Sequence, residues 1–334
     1  MKIKKICRLT SILLMIFVLT GCSSANTAKT QNKELKEVNV LLDWYPNAVH
    51  TFLYAAEAQG YFEEAGLKVN LITPASTDDG IKMVAAGKAD IAISYPKQEI
   101  LARGENINVK SIGAIVRSPL NQLMVRKDSN VNNLKDLENK KVGYASFDID
   151  KETVKSMVKK AGGDPEKVQF IDVGYDLMSA IQTKRVDAII GGFINHEEIL
   201  LEKEGVELNT FNPVDYGMAN SYELSFIASD DKIANDKDTL KAFLSACKKG
   251  FDYTKNNEDS ALKLVLDSQN DSYPLDSETE KKSLDILLPL METSDGEFLS
   301  QSSDNFTSNI DWLTQTGILK NKVNADDVYT EIDK

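Results

Sequence analysis

From Val38 to about Asn212 the chain alternates short apolar runs of strand length with runs of helical length. That alternation predicts an α/β fold in which helices cover a mostly parallel sheet. Strands are expected at 38–42, 69–73, 89–94, 109–116, 141–144, 168–173 and 186–190, with helices at 51–59, 78–86, 98–103, 150–161 and 177–183 between them. After a further strand at 224–228 the pattern changes to long helical runs at 237–256, 258–269, 277–291 and 306–314. Their apolar positions recur at helical spacing, as in Leu240, Phe243, Leu244 and Cys247, and Trp312 is expected in the same core.

Two segments echo each other. Met83 to Ile93 and Ala180 to Ile190 each read as a helix, a tight basic turn, an Asp and a buried strand. Each is followed by a short polar insert and a new helix start, at Lys97 and at His196. Such a repeat fits two lobes of similar build facing each other. Helix–turn–strand units of any α/β protein would look much the same.

The ends bear on location. Lys2, Lys4, Lys5 and Arg8 precede an apolar stretch from Leu9 to Val18, too short to span a membrane, as in a signal peptide. It closes on Leu19-Thr20-Gly21-Cys22, which resembles a bacterial lipobox, so 1–21 is expected to leave and Cys22 to carry lipid. Residues 22–37, rich in Ser, Asn, Thr, Lys and Gln, read as a flexible tether. Cys7 would leave with the signal, and Cys247 then stands without a partner for an intramolecular disulfide; a core role is expected for it. The formal net charge is −12, and loss of the four basic leader residues would take it to −16. With no basic stripe, nucleic acid is not an expected partner.

Several chemistries lack their residues. There is no phosphate-cradling Gly-rich loop and no Gly-x-Ser-x-Gly elbow. The chain has two His, and His196-Glu197-Glu198 lacks the second His of a zinc helix. No catalytic residue, metal or cofactor is therefore expected.

Four loops are candidates for a binding cleft, because ligands of α/β folds sit beyond strand ends. The first, Asp43 to His50, holds a carboxylate, two aromatics, a proline, a carboxamide and an imidazole. A Pro-stiffened turn around a buried Trp would also account for it. The others are Ser94 to Gln98, Gly191 to His196 and Asp215 to Glu223. Together they offer Trp44, Tyr95, Phe193 and Tyr222 as ring faces and Asp43, Asn47, His50, Asn195 and Glu223 as polar groups. Ring faces plus carboxylate acceptors suit a planar heterocycle bearing amino groups. Core packing is the alternative for Tyr222 and Phe193, and a solvated strand start for Glu223.

These residues resemble a known family. Leu42-Asp43-Trp44-Tyr45-Pro46-Asn47 with His50 looks like the opening signature of the thiamine-pyrimidine-precursor branch of type 2 periplasmic substrate-binding proteins. Gly60 to Val69, Gly191 to Glu197, and Asp215-Tyr216-Gly217 followed by Tyr222-Glu223-Leu224 are similar as well. The resemblance implies a two-lobed fold, with a first lobe from 38–120 and 219–334, a second from 121–218, and a hinge of two crossover segments. It implies a monomeric, extracytoplasmic, lipid-anchored protein that hands a formylated aminopyrimidine to the permease of an ABC importer. Close relatives carry Tyr-Trp where this chain has Phe193-Ile194, and a Gly-x-Pro run where it has Gly217-Met218-Ala219. Riboflavin and an aliphatic sulfonate such as taurine are the alternative ligands, although a sulfonate site would want cations and Lys97 is the one basic residue of these loops. A related pyrimidine synthase uses a Lys and a His where this chain has Ser94 and Gln98, together with a cysteine cluster that is absent here.

Overall fold

The computed structural model describes residues 34–269 and 274–332. The leader, Cys22 and most of the tether lie outside the described residues. Ten strands form two five-stranded sheets of matching order. The first contains β1 (Lys36–Leu41), β2 (Leu67–Ile72), β3 (Ile91–Ser94), β4 (Val109–Val116) and, late in the chain, β10 (Leu224–Ser229). The second contains β5 (Asn121–Arg126), β6 (Lys141–Tyr144), β7 (Gln169–Asp172), β8 (Ala188–Phe193) and β9 (Leu208–Phe211). The orders are β2-β1-β3-β10-β4 and β7-β6-β8-β5-β9. The two echoing segments thus end in the corresponding strands β3 and β8.

Strand direction explains where a cleft must lie. β1, β2 and β3 run parallel, as do β6, β7 and β8, while β10 and β5 pair antiparallel with both of their neighbours. In each sheet four strands therefore run one way and one runs against them. The reversed strand is the one the chain enters on crossing from the other sheet: β4 ends at Val116 and β5 begins at Asn121, and β9 ends at Phe211 ahead of β10 at Leu224. Crossing on the cleft side forces each reversed strand to start at the cleft and run away from it. Asn121 accordingly pairs with Phe193 at the end of β8, and Ser225 with Ser94 at the end of β3. The carboxyl ends of β3 and β8 and the entries of β5 and β10 meet in one place.

Two central features differ from the expectation. Residues 121–126 form an interior strand that does not alternate in polarity, because β8 and β9 flank it and both faces are covered. β1 begins at Lys36, before the apolar run, because its ladder with β2 takes in the polar pairs Lys36↔Leu67 and Glu37↔Lys68. The helices Lys237–Asn256 and Ser277–Met291 have the expected bounds. Leu240, Phe243, Leu244, Cys247 and Phe251 of the former are buried with Phe52 and Leu53 of the helix Thr51–Ala58 in the core of the first sheet. The two helices approach so closely that a Cβ at Gly250 would lie 2.2 Å from the Phe52 carbonyl oxygen. Among the described residues no helix is long and apolar enough to cross a membrane.

Candidate functional site

The first loop is built by its own polar side chains. Asn47 caps a single 3-10 turn, Ala48–His50, its Oδ1 accepting the Val49 N–H at 3.0 Å. The Asn47 N–H donates back to His50 Nδ1 at 3.2 Å. A ring nitrogen that accepts carries no proton, so the imidazole proton sits on Nε2 and is donated to Asp43 Oδ1 at 3.0 Å. Asp43 Oδ2 in turn accepts the Tyr95 hydroxyl at 3.3 Å. Burial, with the Asp43 carboxylate adding to it, holds that hydroxyl well above the usual tyrosine range.

Trp44, Asn47, Tyr95, Phe193, Asn195, Tyr222 and Glu223 line one cleft with Asp43, and about 990 Å³ of empty space lies within it, its mouth to solvent included. His50 is the expected candidate that does not reach the cleft: it is fully buried behind the loop and orients Asp43. Tyr222 presents only part of its ring, since Arg117 lies over it at 5.0 Å and Phe306 packs on it edge-on at 6.0 Å. Glu223 bridges the hinge, its Oε2 accepting the Leu120 N–H at 2.6 Å and the Asn121 N–H at 3.0 Å. The carboxylate at the head of one crossover is thereby fastened to the backbone of the other.

Lys97, Asn121, Phe147 and Asp150 line the cleft as well. Lys97 donates to Ser221 Oγ at 2.6 Å. Burial pulls its ammonium below the usual lysine value, against the attraction of Glu223 and Asp150. Burial raises Glu223, with Lys97 and the two backbone N–H groups opposing. Asp150, at the start of the helix Asp148–Lys160, accepts from Asn121 Nδ2 at 3.1 Å. Burial pushes its carboxyl up to about 7, with the Glu223 charge adding and the Asn121 bond and Lys97 opposing. Asp150 Oδ2 and Asn195 Oδ1 are buried acceptors with no hydrogen-bond partner. Buried polar groups are nearly always satisfied, so such atoms in the wall of a cleft point to a ligand. Nothing in the sequence separates Asp150 from other acids at helix starts; Lys97 stands in the candidate loop Ser94 to Gln98, where the sequence marks it only as a lone basic residue.

The two walls touch across the cleft. Thr77 Oγ1 donates to the Ala145 carbonyl at 3.1 Å, and the Tyr175 hydroxyl to the Pro74 carbonyl at 3.3 Å. The rings of Trp44 and Tyr175 lie 4.3 Å apart and those of Tyr95 and Phe147 5.2 Å apart. On the other flank Asn195 Nδ2 donates to Ser283 Oγ at 2.9 Å, and His196 Nε2 meets Glu280 Oε1 at 3.2 Å. His196 Nδ1 meets Glu197 Oε1 at 3.0 Å. Burial opposes an imidazolium here, but the Glu197 and Glu280 carboxylates outweigh it and hold His196 well above the usual histidine value. The two lobes are closed on each other. Among the described residues no cluster of His, Cys, Asp and Glu has the geometry of a metal site.

Comparison with known proteins agrees with this architecture. The NMT1/THI5-like family pattern matches residues 47–261. The formylaminopyrimidine-binding protein of Halalkalibacterium halodurans is 39% identical over 97% of this chain and 98% of its own length. A 4-amino-5-hydroxymethyl-2-methylpyrimidine phosphate synthase of Legionella pneumophila is 27% identical over 70% of this chain and 73% of its own. Among solved structures, the alkanesulfonate-binding protein of Xanthomonas axonopodis superposes with a TM-score of 0.70 over 89% of this chain and 99% of that one, at 11% identity. The periplasmic aliphatic sulphonate-binding protein of Escherichia coli gives 0.66 over 89% and 92%, at 12% identity. Those two likenesses concern the fold. With a family match over well more than half its length, the chain belongs to the NMT1/THI5-like family, built on the two-lobed periplasmic-binding-protein fold.

Proposed function

We propose that the protein is an extracytoplasmic solute-binding protein of an ABC importer, and that it captures a formylated aminopyrimidine for thiamine salvage. One observation supports this most: a cleft between two lobes combines the ring faces of Trp44, Tyr95 and Phe193 with the buried, unpartnered acceptors of Asp150 and Asn195. Flat rings take the faces of a planar heterocycle, and acceptors take its N–H groups. The Halalkalibacterium relative, similar over nearly its whole length, carries that ligand in its name. A sulfonate would need several donors or cations, and both cations lining this cleft are already held by carboxylates, Lys97 attracted by Glu223 and Asp150 and His196 bonded to Glu197 and Glu280. In this reading Asp43, Trp44, Asn47, Tyr95, Phe193, Asn195 and Glu223 form the wall, with His50 and Tyr222 supporting it. Residues 38–120 and 219–334 act as one lobe and 121–218 as the other. Ligand shifts the lobes toward the closed form, which docks on the permease. Lipid on Cys22 and the tether that follows hold the monomer at the outer face of the cell membrane. No covalent chemistry is involved.

A thermal-shift panel of formylaminopyrimidine, hydroxymethylpyrimidine, thiamine, riboflavin and taurine tests the reading, with Trp44→Ala in parallel. Stabilisation by the formylated pyrimidine, lost in the variant, is expected. Stabilisation by taurine or riboflavin alone would sink the ligand assignment.

A further inference from the structure

Four carboxylates line the cleft, and each accepts at least one hydrogen bond. Asp43 holds His50 and the Tyr95 hydroxyl. Glu197 accepts the Phe193 N–H at 2.9 Å and holds His196. Glu223 takes two crossover N–H groups. Asp150 differs, because one oxygen is held by Asn121 and the other is buried with no partner. The backbone keeps that oxygen in place. Asn121 Oδ1 accepts the Gly191 N–H at 2.8 Å while its Nδ2 holds Asp150, so one side chain ties Asp150 to the end of β8. Gly191 adopts φ +98°, and a Cβ there would come within 3.3 Å of Asp150 Oδ2 and 3.4 Å of the Ala145 Cβ. A side chain at 191 would crowd that buried oxygen.

Resting on the functional reading above, we propose that Asp150 reads the amino-bearing edge of the ring, accepting its N–H at Oδ2, and thereby sets the preference for an aminopyrimidine over the corresponding oxo-pyrimidine. An oxo group would put a second acceptor against a carboxylate oxygen, leaving both without a proton between them. The charged and titratable groups facing Asp150 are Lys97 on the helix after β3, Glu223 at the second crossover and Tyr95 at the end of β3. Lys97 donates to Ser221 and is attracted by both carboxylates. With burial pushing its carboxyl up to about 7, Asp150 is mostly ionised at pH 8, where the discrimination is larger. At pH 6 it is mostly protonated and gains an O–H that an oxo group can accept, so the preference narrows.

The test is a pair of dissociation constants, for 4-amino-5-formamidomethyl-2-methylpyrimidine and its 4-oxo counterpart, on the wild type and Asp150→Asn at pH 8 and pH 6. The His196 contact acts alike on both ligands and cancels in their ratio, and protonation of the ligand itself is common to both proteins. The wild type should favour the amino ligand at pH 8 by about 10- to 150-fold, the range expected of a hydrogen bond to a charged group. The ratio should shrink at pH 6, and in Asp150→Asn it should fall to a few-fold with far less change between the two pH values. A wild-type ratio near one at pH 8, or a variant that keeps the wild-type ratio, overturns the assignment. If Asp150→Asn does not fold, the wild-type ratio and its narrowing between pH 8 and pH 6 decide alone. Tight wild-type binding of both ligands would overturn this inference while leaving the functional reading standing. Binding of neither would overturn both.

Discussion

Glu280→Gln removes a charge from the contact that joins the helix Ser277–Met291 of one lobe to His196 of the other. Glu280 Oε1 lies 3.2 Å from His196 Nε2, and both side chains are almost fully buried, at 1% and 7% exposure. Its Oε2 accepts the Ala48 N–H at 2.7 Å within its own lobe. Glutamine has one oxygen for these two donors, so its amide nitrogen must face the imidazole or the backbone N–H. The interlobe bond is the part that opening breaks. A hydrogen bond between charged partners contributes about 1.5–3 kcal/mol net, and closure should weaken by that amount. If the ligand-free protein is mostly open, the loss passes directly into affinity, about 10- to 150-fold in Kd. The contact forms after encounter, so the change should appear in the dissociation rate, measured by stopped flow, rather than in association. His196→Gln completes a double-mutant cycle that isolates the pair from the Ala48 contact. His196 is raised well above its ordinary value in the closed form, by Glu197 and Glu280 against burial. Its contribution is therefore fully present below the ordinary histidine value and lost as pH rises through the raised one, so wild-type affinity should fall toward alkaline pH and the variant should show less of this. A Glu280→Gln protein that unfolds like the wild type and binds within threefold of it, or a coupling energy under about 0.5 kcal/mol, would refute the clasp.

Three further outcomes are expected. Trp44→Ala should weaken pyrimidine binding by about 10- to 100-fold, since it removes a stacking face and its buried area, with little change in unfolding; calorimetry reads this directly. Glu99 is buried with one bond, from Ser225 Oγ at 2.5 Å, and burial raises its carboxyl from 4.5 to about 8. Stability from such a group is present below the unfolded value and lost as pH rises toward the folded one, so Glu99→Gln should gain about 2–3 kcal/mol on the wild type between pH 5 and pH 7 in urea unfolding. Gly250→Ala would force a methyl to 2.2 Å from the Phe52 carbonyl oxygen; separating the two helices should cost about 1–3 kcal/mol, read as a lower Tm.

Much of the fold was legible because periodicity is a local property. The strand Val109–Val116 and the helices Lys237–Asn256 and Ser277–Met291 carry their pattern in their own side chains, and the structure has them at the expected bounds. β5 carried no such signal, being covered on both faces. β9 is a short edge strand of half-buried residues, and it also went unread. For the site, Trp44, Asn47 and Tyr95 stood out because aromatic and carboxamide groups follow strands there, and they do line the cleft. Asp150 and Glu280 did not stand out. Each is an acid in the first turns of a helix, in a chain with 51 acidic residues, and what distinguishes them is their partners: Asn121 for one, His196 for the other. Those partners come from the start of an interior strand or from the opposite lobe, so only tertiary structure reveals them. His50 shows the converse, since its place in the motif suggested ligand contact and its hydrogen bonds turn it inward to Asn47 and Asp43.

Isothermal titration of the purified protein with a formylated aminopyrimidine tests most directly whether the interlobe cleft binds that ligand. One site per chain is expected, with a Kd of about a micromolar or tighter, a negative heat-capacity change from burial of the rings, and no heat with taurine or riboflavin. Saturable binding of taurine or riboflavin, with no heat from the pyrimidine, would contradict the ligand assignment.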